Sequence, residues 1–389
     1  MPHDPERQAN YLRQTLSQGR RPVALLLGAG CPASVKNHGE PLIPAIGGLT
    51  EMVRSKMAAS DRADSWAVLA DQLAPDADIE VILNHVRSLR AVAGDDEVRG
   101  LKSTELESLE ADVCSLIAEA ASVRLTTRDS PFHKVASWIG SIERLYPAEV
   151  FTPNYDLLIE QAFEETHVPY FDGFVGTVNP FFDLHAIETD ELPSRWARLW
   201  KIHGSINWAL GEDRLIYRKM NITPSDARMI YPSHLKYEQS RRMPYLAFLD
   251  RLRVFLRAPS ATLLTCGFSF RDEHLNEVLL EGAEGNPGAA VFGLLHGELS
   301  RYRNAIEIAT TRPNLTILAA DGGVIGTHRD AWLTAEDPPT TSDEIAVRWD
   351  KPAASAAAPS FLLGDFTQFA TLLTDVMGRS PEFVAGDAG

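Results

Sequence analysis

A set of short apolar runs constrains the fold of this chain more than any other feature of its sequence. Uninterrupted apolar runs of this length are typical of strands that are buried on both faces of a parallel sheet. Helical patterns separate most of the runs, so the sequence predicts an α/β fold, with a Rossmann-like, doubly wound parallel sheet of about six strands. The predicted strands cover residues 23–27, 149–152, 199–203, 261–266, 290–295 and 315–320.

Small or polar residues follow most of the predicted strands, near residues 27, 152, 202, 266 and 320. Ligands of open α/β sheets bind outside the carboxyl ends of the strands. A single extended ligand along this edge would explain why these residue types recur there.

Two of these strand ends carry side chains that are suited to chemistry. One strand ends in Asn154-Tyr155-Asp156, and another delivers His203 to a turn that Gly204 permits. A strand-end Asn is also an ordinary turn residue, and a lone His is more often structural. Asp156 would either orient Asn154 or cap the helix that follows it.

The turn Gly28-Ala29-Gly30 follows the first strand directly. Two glycines allow a close approach of backbone to a ligand, and free amides after such a turn can hold phosphate. The third glycine of the dehydrogenase motif is absent, and no acidic residue ends a second strand about 20 positions later. The alternative is a tight turn with no ligand. Cys31 lies beside this turn and is either inert or redox-sensitive.

Further segments are predicted around the sheet. The predicted order is an N-terminal helix, the sheet domain, a linker, and a C-terminal helix with a tail, over residues 1–20, 21–333, 334–360 and 361–389. Apolar positions at helical spacing predict a helical insertion at about 50–146, in which nothing indicates chemistry. A mixed insertion is predicted at about 205–243. The C-terminal helix either packs on the domain or mediates assembly.

Charge and cysteine content narrow the functional classes. A net charge of -16 predicts no direct binding of nucleic acid, which requires a basic surface. The three cysteines form no Cys-x-x-Cys pair, so a four-cysteine zinc site is excluded. The odd cysteine count and a polar N-terminus without a leader fit a reducing cytoplasm. No apolar run approaches the roughly 18–20 residues that a membrane span requires.

Four motifs together resemble those of the sirtuin family: Gly28-Ala29-Gly30 with Ser34, Thr152-Pro153-Asn154-Tyr155-Asp156, Ile202-His203-Gly204 and Gly267-Phe268-Ser269. The chain is more similar to the bacterial sirtuin-like branch, through the runs Lys201–Trp208, Gly267–His274 and Leu363–Phe369. The resemblance covers about residues 20–375 and implies a site for NAD.

The departures from that family bear on activity. Protein-deacylating sirtuins carry four zinc-binding cysteines and a Gly-Ile-Pro-Asp-Phe-Arg segment, of which only Ile43-Pro44 remains here, and the Gln of their Thr-Gln-Asn-x-Asp motif is Pro153. These changes count against deacylation and ADP-ribosyl transfer. They imply no metal, no zinc, and no cofactor beyond NAD+ as the substrate.

The zinc-free bacterial branch is known for antiphage systems that destroy NAD. The resemblance therefore implies a cytoplasmic NAD+ glycohydrolase that releases nicotinamide and ADP-ribose. It also implies a homo-oligomer and a separate partner, such as a HerA-type ATPase or translocase. The alternative is a non-catalytic regulatory or structural subunit that holds NAD or ADP-ribose.

The resemblance also implies roles for single residues. It assigns catalysis to Asn154, His203 and Asp156. It assigns the binding of NAD, from the diphosphate to the adenine, to Gly28, Ala29, Gly30, Ser34, Thr152, Gly267, Phe268, Ser269, Asp321 and Gly322. Asp272 and His274 are predicted only to begin a helix.

Overall fold

The computed structural model describes residues 2–94, 96–211, 215–219, 244–336, 339, 342–350 and 356–378. A nine-stranded sheet forms the centre of the protein. From one edge to the other, its strands are β17 (His328–Ala331), β16 (Gly322–Ile325), β15 (Leu315–Ala319), β14 (Ala290–Leu294), β13 (Thr262–Cys266), β1 (Val23–Leu27), β6 (Glu149–Thr152), β10 (Ala197–Lys201) and β7 (Tyr170–Phe171).

The strands from β15 to β7 run parallel, and β16 and β17 add an antiparallel edge. The predicted α/β class and the doubly wound parallel sheet are therefore confirmed. All six predicted strands belong to this sheet, and β7, β16 and β17 were not predicted. The predicted strand at 199–203 lies two residues too late, because the chain already turns after Lys201.

Alternate residues of the parallel strands enter two cores on opposite faces of the sheet. In β1, Leu25 and Leu27 join one core, and Ala24 and Leu26 join the other. The first core includes side chains of α1 (Pro5–Leu16), α7 (Pro131–Ser141), α8 (Leu158–Glu165) and α13 (Phe366–Gly378). The second includes side chains of α10 (Tyr245–Arg257), α11 (Glu273–Gly285) and α12 (Arg303–Ala309), and a 3-10 turn (Leu299–Arg301) precedes α12.

A helical module with its own apolar core lies between β1 and β6 in the chain. It contains α3 (Ile46–Ala58), α4 (Ala63–Ala70), α5 (Ile79–Ala93) and α6 (Ser103–Ala121), with the short strands β4 (Glu97–Val98) and β5 (Leu101–Lys102). The insertion predicted at 50–146 is shorter in the structure, because Phe132, Val135 and Trp138 of α7 are buried in the core of the sheet domain. Between β1 and the module lie α2 (Gly30–Ser34), β2 (Lys36–Asn37) and β3 (Glu40–Pro41).

A four-stranded sheet and a short helix occupy the region beside β7. The sheet consists of β8 (Phe174–Val175), β9 (Phe181–Phe182), β11 (Trp208–Leu210) and β12 (Ile216–Arg218), and the helix is α9 (Leu184–Thr189). The predicted mixed insertion at 205–243 contributes β11 and β12, and its residues 220–243 lie outside the described residues.

The predicted linker at 334–360 contains structure. Its described part forms an antiparallel pair, β18 (Val347–Asp350) with β19 (Ala358–Phe361), in which Val347 and Phe361 are buried. The C-terminal helix α13 packs back on the domain, where Phe366 meets Phe132 edge to face at 4.9 Å between ring centroids. Residues 379–389 of the predicted tail lie outside the described residues. Across the described helices, none has the length and apolar character that would let it cross a membrane.

Candidate functional site

The order of the strands places a ligand crevice at the carboxyl end of β1. From β1 the chain continues into β6 and β10 on one side, then returns to β13 on the other side. Such a reversal of strand order is where open α/β sheets bind their ligands. The loops after β1, β6, β10 and β13 therefore converge on one place, which is the place that the sequence predicts.

The loops after β1 and β13 interlock through their glycines. Gly28 N–H donates to the Cys266 carbonyl at 2.9 Å, and Gly30 N–H donates to the Gly267 carbonyl at 2.9 Å. A Cβ atom added to Gly28 would lie 2.4 Å from the Gly267 oxygen. No side chain fits between the loops at that distance, so the glycines fix how closely β1 and β13 end beside each other.

Cys31 is buried behind this contact. Its N–H donates to the Gly28 carbonyl at 3.0 Å, and its thiol donates to the Cys266 carbonyl at 3.2 Å. Burial, together with the hydrogen bond to Cys266, raises the pKa of the Cys31 thiol well above its ordinary value. A thiol of this kind is a poor nucleophile at neutral pH, which favours the inert alternative for Cys31.

Asn154 is held at the end of β6 by two hydrogen bonds. Its backbone N–H donates to Thr152 Oγ1 at 3.0 Å, and its Nδ2 donates to the Gly28 carbonyl at 3.1 Å. Thr152 Oγ1 donates in turn to the Leu27 carbonyl at 2.7 Å. Both residues thus tie the end of β6 to the end of β1. Thr152 is buried beneath the site, while Asn154 lines it.

Asp156 and Lys201 stabilise the turn that carries Asn154. Asp156 Oδ1 accepts at 3.1 Å from the N–H of Leu158, the first residue of α8. Burial raises the pKa of the Asp156 carboxyl, and the charge of Lys201 acts in the opposite direction. The buried Lys201 ammonium donates to Glu160 Oε1 at 2.9 Å and to the Asp156 carbonyl. These bonds join the strand end of β10 to the Asn154 turn.

His203 is paired with a carboxylate from another loop. Its Nε2 lies 3.1 Å from Asp272 Oδ2, and the two side chains are 12% and 17% exposed. Asp272 Oδ1 accepts from the N–H groups of His274 and Leu275 at 3.0 and 3.1 Å. The predicted helix start thus accounts for the contacts of only one of the two carboxylate oxygens of Asp272. The other orients His203, a role that sequence spacing alone does not reveal.

These residues surround a cavity of about 350 Å³, a volume typical of sites for small molecules. One wall comes from the strand ends and includes Asn154, Asp156 and His203. Another part of the lining comes from the helical module, in which the sequence indicated no chemistry. It includes Asp78, Ile79, Glu80 and Val81 from the start of α5, Asn84 one turn later, and Ile117, Ala120 and Ala121 from α6.

The cavity brings together seven of the predicted site residues: Asn154, Asp156, His203, Ala29, Gly267, Phe268 and Ser269. Gly28, Gly30 and Thr152 lie behind its wall in the contacts given above. Ser34 ends α2, outside the cavity lining, and its Oγ donates to the Cys31 carbonyl at 2.8 Å.

Asp321 and Gly322 are likewise outside the cavity lining, at the turn between β15 and β16. Asp321 Oδ1 accepts from the Leu299 N–H at 2.7 Å there. The roles of all these residues in binding NAD stay predictions.

Cavity residues for which the sequence predicted no role in the site include Asn84, Arg271 and Asp272. Arg271 lies within the run Gly267–His274 that resembles the bacterial sirtuin-like branch, so its position in that run was the available signal. The sequence carries no such signal for Asn84, because this residue lies in an ordinary amphipathic helix. Among the described residues, no cluster of three or more His, Cys, Asp or Glu side chains could hold a metal ion.

Two comparisons with known proteins found a similarity. Residues 148–308 match the family model of the SIR2-like domain, a span that contains Asn154, His203 and Asp272. The chain is also similar to a solved structure from a study of the mechanism and regulation of Sir2 enzymes, with 12% identity and a TM-score of 0.35 over 75% of this chain and 86% of that chain. No curated protein matches the chain.

Proposed function

We propose that this protein is an NAD+ glycohydrolase, which cleaves the bond between nicotinamide and ribose to give nicotinamide and ADP-ribose. One observation carries the proposal: the Asn154 amide and the Asp272-paired imidazole of His203 line one cavity at the switch point of the sheet. The match of residues 148–308 to the SIR2-like domain supports NAD as the ligand.

Cleavage of this bond requires stabilisation of a positively charged ribosyl group and a positioned nucleophile. Asn154 is suited to positioning. Since its Nδ2 donates to the Gly28 carbonyl, its amide oxygen is the atom that accepts a hydrogen bond from a ribose hydroxyl or from the attacking water. An amide does this without changing charge near neutral pH.

His203 is suited to accept a proton. When its Nε2–H donates to Asp272, the unprotonated nitrogen is Nδ1, and this nitrogen is the base toward a ribose hydroxyl or water. A base that is oriented by a carboxylate is a recurring arrangement in enzymes that activate hydroxyl groups. We therefore assign Asp272 as a positioning residue for His203. Asp156 stabilises the Asn154 turn through its hydrogen bond with the N–H of Leu158.

The diphosphate of NAD needs a counter-charge, and we assign this role to Arg271. The amides of Gly28, Gly30 and Cys31 already donate to backbone carbonyls, so they are engaged within the protein. Arg271 is exposed and is the one Lys or Arg among the described residues that line the cavity. A guanidinium suits a diphosphate because it can form two parallel hydrogen bonds.

The wider role that we propose is depletion of NAD in antiphage defence, in the cytoplasm, as a homo-oligomer and with a separate partner such as a HerA-type ATPase. Its support is the resemblance of the motifs to the bacterial sirtuin-like branch. The same resemblance supports NAD+ as the only small molecule required, without zinc.

The decisive experiment measures nicotinamide release from NAD by purified protein, beside Asn154→Ala and His203→Ala. Loss of a general base typically costs about 10²- to 10⁴-fold and loss of positioning about 10²-fold, so release by both variants is expected to fall about 100-fold or more. His185→Ala is the matched control, because His185 is exposed on α9, outside the cavity lining. Release that persists in both site variants would place the chemistry elsewhere. If the parent protein releases no nicotinamide even in the presence of the product of the gene that lies next to its own, which is the first candidate for the separate partner, the protein is not a glycohydrolase.

A further inference from the structure

Lys201 is a charged residue at a position where burial favours an apolar one. It ends β10, in which all five residues are buried, and its own side chain is only 2% exposed. Removal of an ammonium group from water is costly, and apolar residues of similar volume often replace a buried ion pair without loss of stability. The stability of the fold therefore does not by itself require a lysine here.

The ammonium group of Lys201 contacts the backbone of the Asn154 turn. It donates to the Asp156 carbonyl and, at 3.4 Å, to the Tyr155 carbonyl. Both of these turn residues line the cavity, whereas Lys201 lies outside the lining. The ammonium group thus holds the backbone of the turn from behind, and leaves the cavity itself open to a ligand.

Glu160 supplies a counter-charge for Lys201 on the helix that follows the turn. Its Oε1 accepts from the ammonium group at 2.9 Å, and it lies on α8. Burial raises the pKa of the Glu160 carboxyl, and the charge of Lys201 acts in the opposite direction. The single cation is therefore bonded both to the Asn154 turn and to the first turns of α8.

The same lysine is also joined to the second half of the candidate site. Lys201 lies two residues before His203 in the chain, so the position of its backbone limits where the His203 turn begins. A neutral bond from the Ile206 N–H to the Tyr155 carbonyl, at 3.0 Å, links the two turns as well. Lys201 adds charged donors to this contact, and charge-assisted hydrogen bonds are roughly twice as strong as neutral ones.

We infer that Lys201 is a positioning residue, which holds the Asn154 turn and the His203 turn in one relative arrangement. A buried ionic group can specify one arrangement of the chain at the expense of stability. The inference rests on the proposed function, because it assumes that Asn154 and His203 act on one substrate. A misplacement of about 1 Å between such groups can lower the rate about 100-fold.

The test uses the double variant Lys201→Met/Glu160→Gln, which removes the ammonium group together with its partner charge on α8. We expect this variant to fold and to release nicotinamide with a kcat lowered at least about tenfold and a KM for NAD changed by less than about threefold. Glu160→Gln alone keeps the ammonium group beneath the turn, so its kcat is expected to stay within about twofold of the parent value.

A second ion pair on the same strand provides the matched control. Arg198, near the amino end of β10, is also buried and pairs with Asp190 at 2.8 Å. Arg198→Met/Asp190→Asn removes a buried cation and its partner without contact with either turn. This variant is expected to retain both kcat and KM, whatever its Tm. A loss of kcat equal to that of the Lys201 double variant would overturn the inference.

Hydrogen exchange of backbone amides tests the same arrangement without turnover. In the Lys201 double variant, the amides of residues 152–158 and 202–206 are expected to exchange about tenfold faster than in Glu160→Gln, while those of residues 23–27 are unchanged. Failure of the double variant to fold, faster exchange throughout the chain, or an unchanged kcat overturns the inference. If the parent protein releases no nicotinamide, the glycohydrolase fails instead, and the local exchange alone decides whether Lys201 positions the two turns.

Discussion

Replacement of Gly267 by alanine tests whether the interlocked glycine loops maintain the site. Gly267 has a φ of +66°, and a Cβ atom there would lie 2.5 Å from the Cys31 backbone nitrogen. Gly326, in the turn between β16 and β17, has a φ of +57° and no atom within 4 Å of its added Cβ. Gly326→Ala therefore reproduces the backbone strain of Gly267→Ala without the close contact, which makes it a matched control.

The two costs can be separated. A non-glycine residue with left-handed backbone costs about 1–2 kcal/mol, and both variants bear this cost. Insertion of a methyl group into a packed contact adds about 1–3 kcal/mol, which applies only at Gly267. We expect Gly326→Ala to lower the free energy of unfolding by about 1–2 kcal/mol and Gly267→Ala by about 2–5 kcal/mol.

Thermal unfolding followed by circular dichroism, together with nicotinamide release, measures both effects. The excess cost at Gly267 corresponds to a Tm about 2 °C or more below that of Gly326→Ala. Release is expected to fall only in Gly267→Ala, because Gly267 lines the cavity and accepts the hydrogen bond of Gly30. Equal Tm values for the two variants would refute the argument that close contact between the loops constrains the site.

Three further substitutions address the site and its scaffold. Asp272→Asn keeps the helix cap but removes the charge beside His203, so we expect kcat to fall about 100-fold with little change in KM and Tm; an unchanged kcat would remove Asp272 from the mechanism. Arg271→Ala is expected to raise KM for NAD at least tenfold while cleavage of nicotinamide riboside, which lacks the diphosphate, is unaffected. Burial raises the pKa of the Asp343 carboxyl, whereas the hydrogen bond and charge of Arg13 lower it by more, so the net shift is downward. The stability from this pair is therefore complete above the ordinary carboxyl pKa and is lost as the pH falls below about 4, so Asp343→Asn should flatten the acid limb of a Tm–pH profile.

The central sheet was predictable because its strands are buried on both faces. Five consecutive apolar residues such as Val23–Leu27 leave few alternatives to an interior strand, and the structure confirms the bounds of that run. The strand Tyr170–Phe171 is two residues long, and β16 and β17 contain Gly-Gly and His-Arg-Asp, so none of them carries an apolar pattern that indicates a strand.

The candidate site was predictable only where the chain supplies its residues at strand ends. Asn154 and His203 follow strands, and the rule for parallel sheets places them at one edge. Asp272 and Asn84 belong to helices whose sequences have adequate structural explanations, a cap and an amphipathic pattern. Only the packing of residues distant in the sequence brings them to the cavity, and local spacing carries no information about that packing.

The central position of β1 has a consequence for the order in which the protein folds during synthesis. Its partner β13 begins at Thr262, 235 residues after Leu27, so a ribosome that adds about 5–20 residues per second needs about 10–50 s to supply it. The helical module has its own core within residues 46–121 and is complete long before that time. During this interval β1 has no partner at the edge that later pairs with β13, while the helical module is already folded. We expect the nascent chain to depend most on chaperones at this stage.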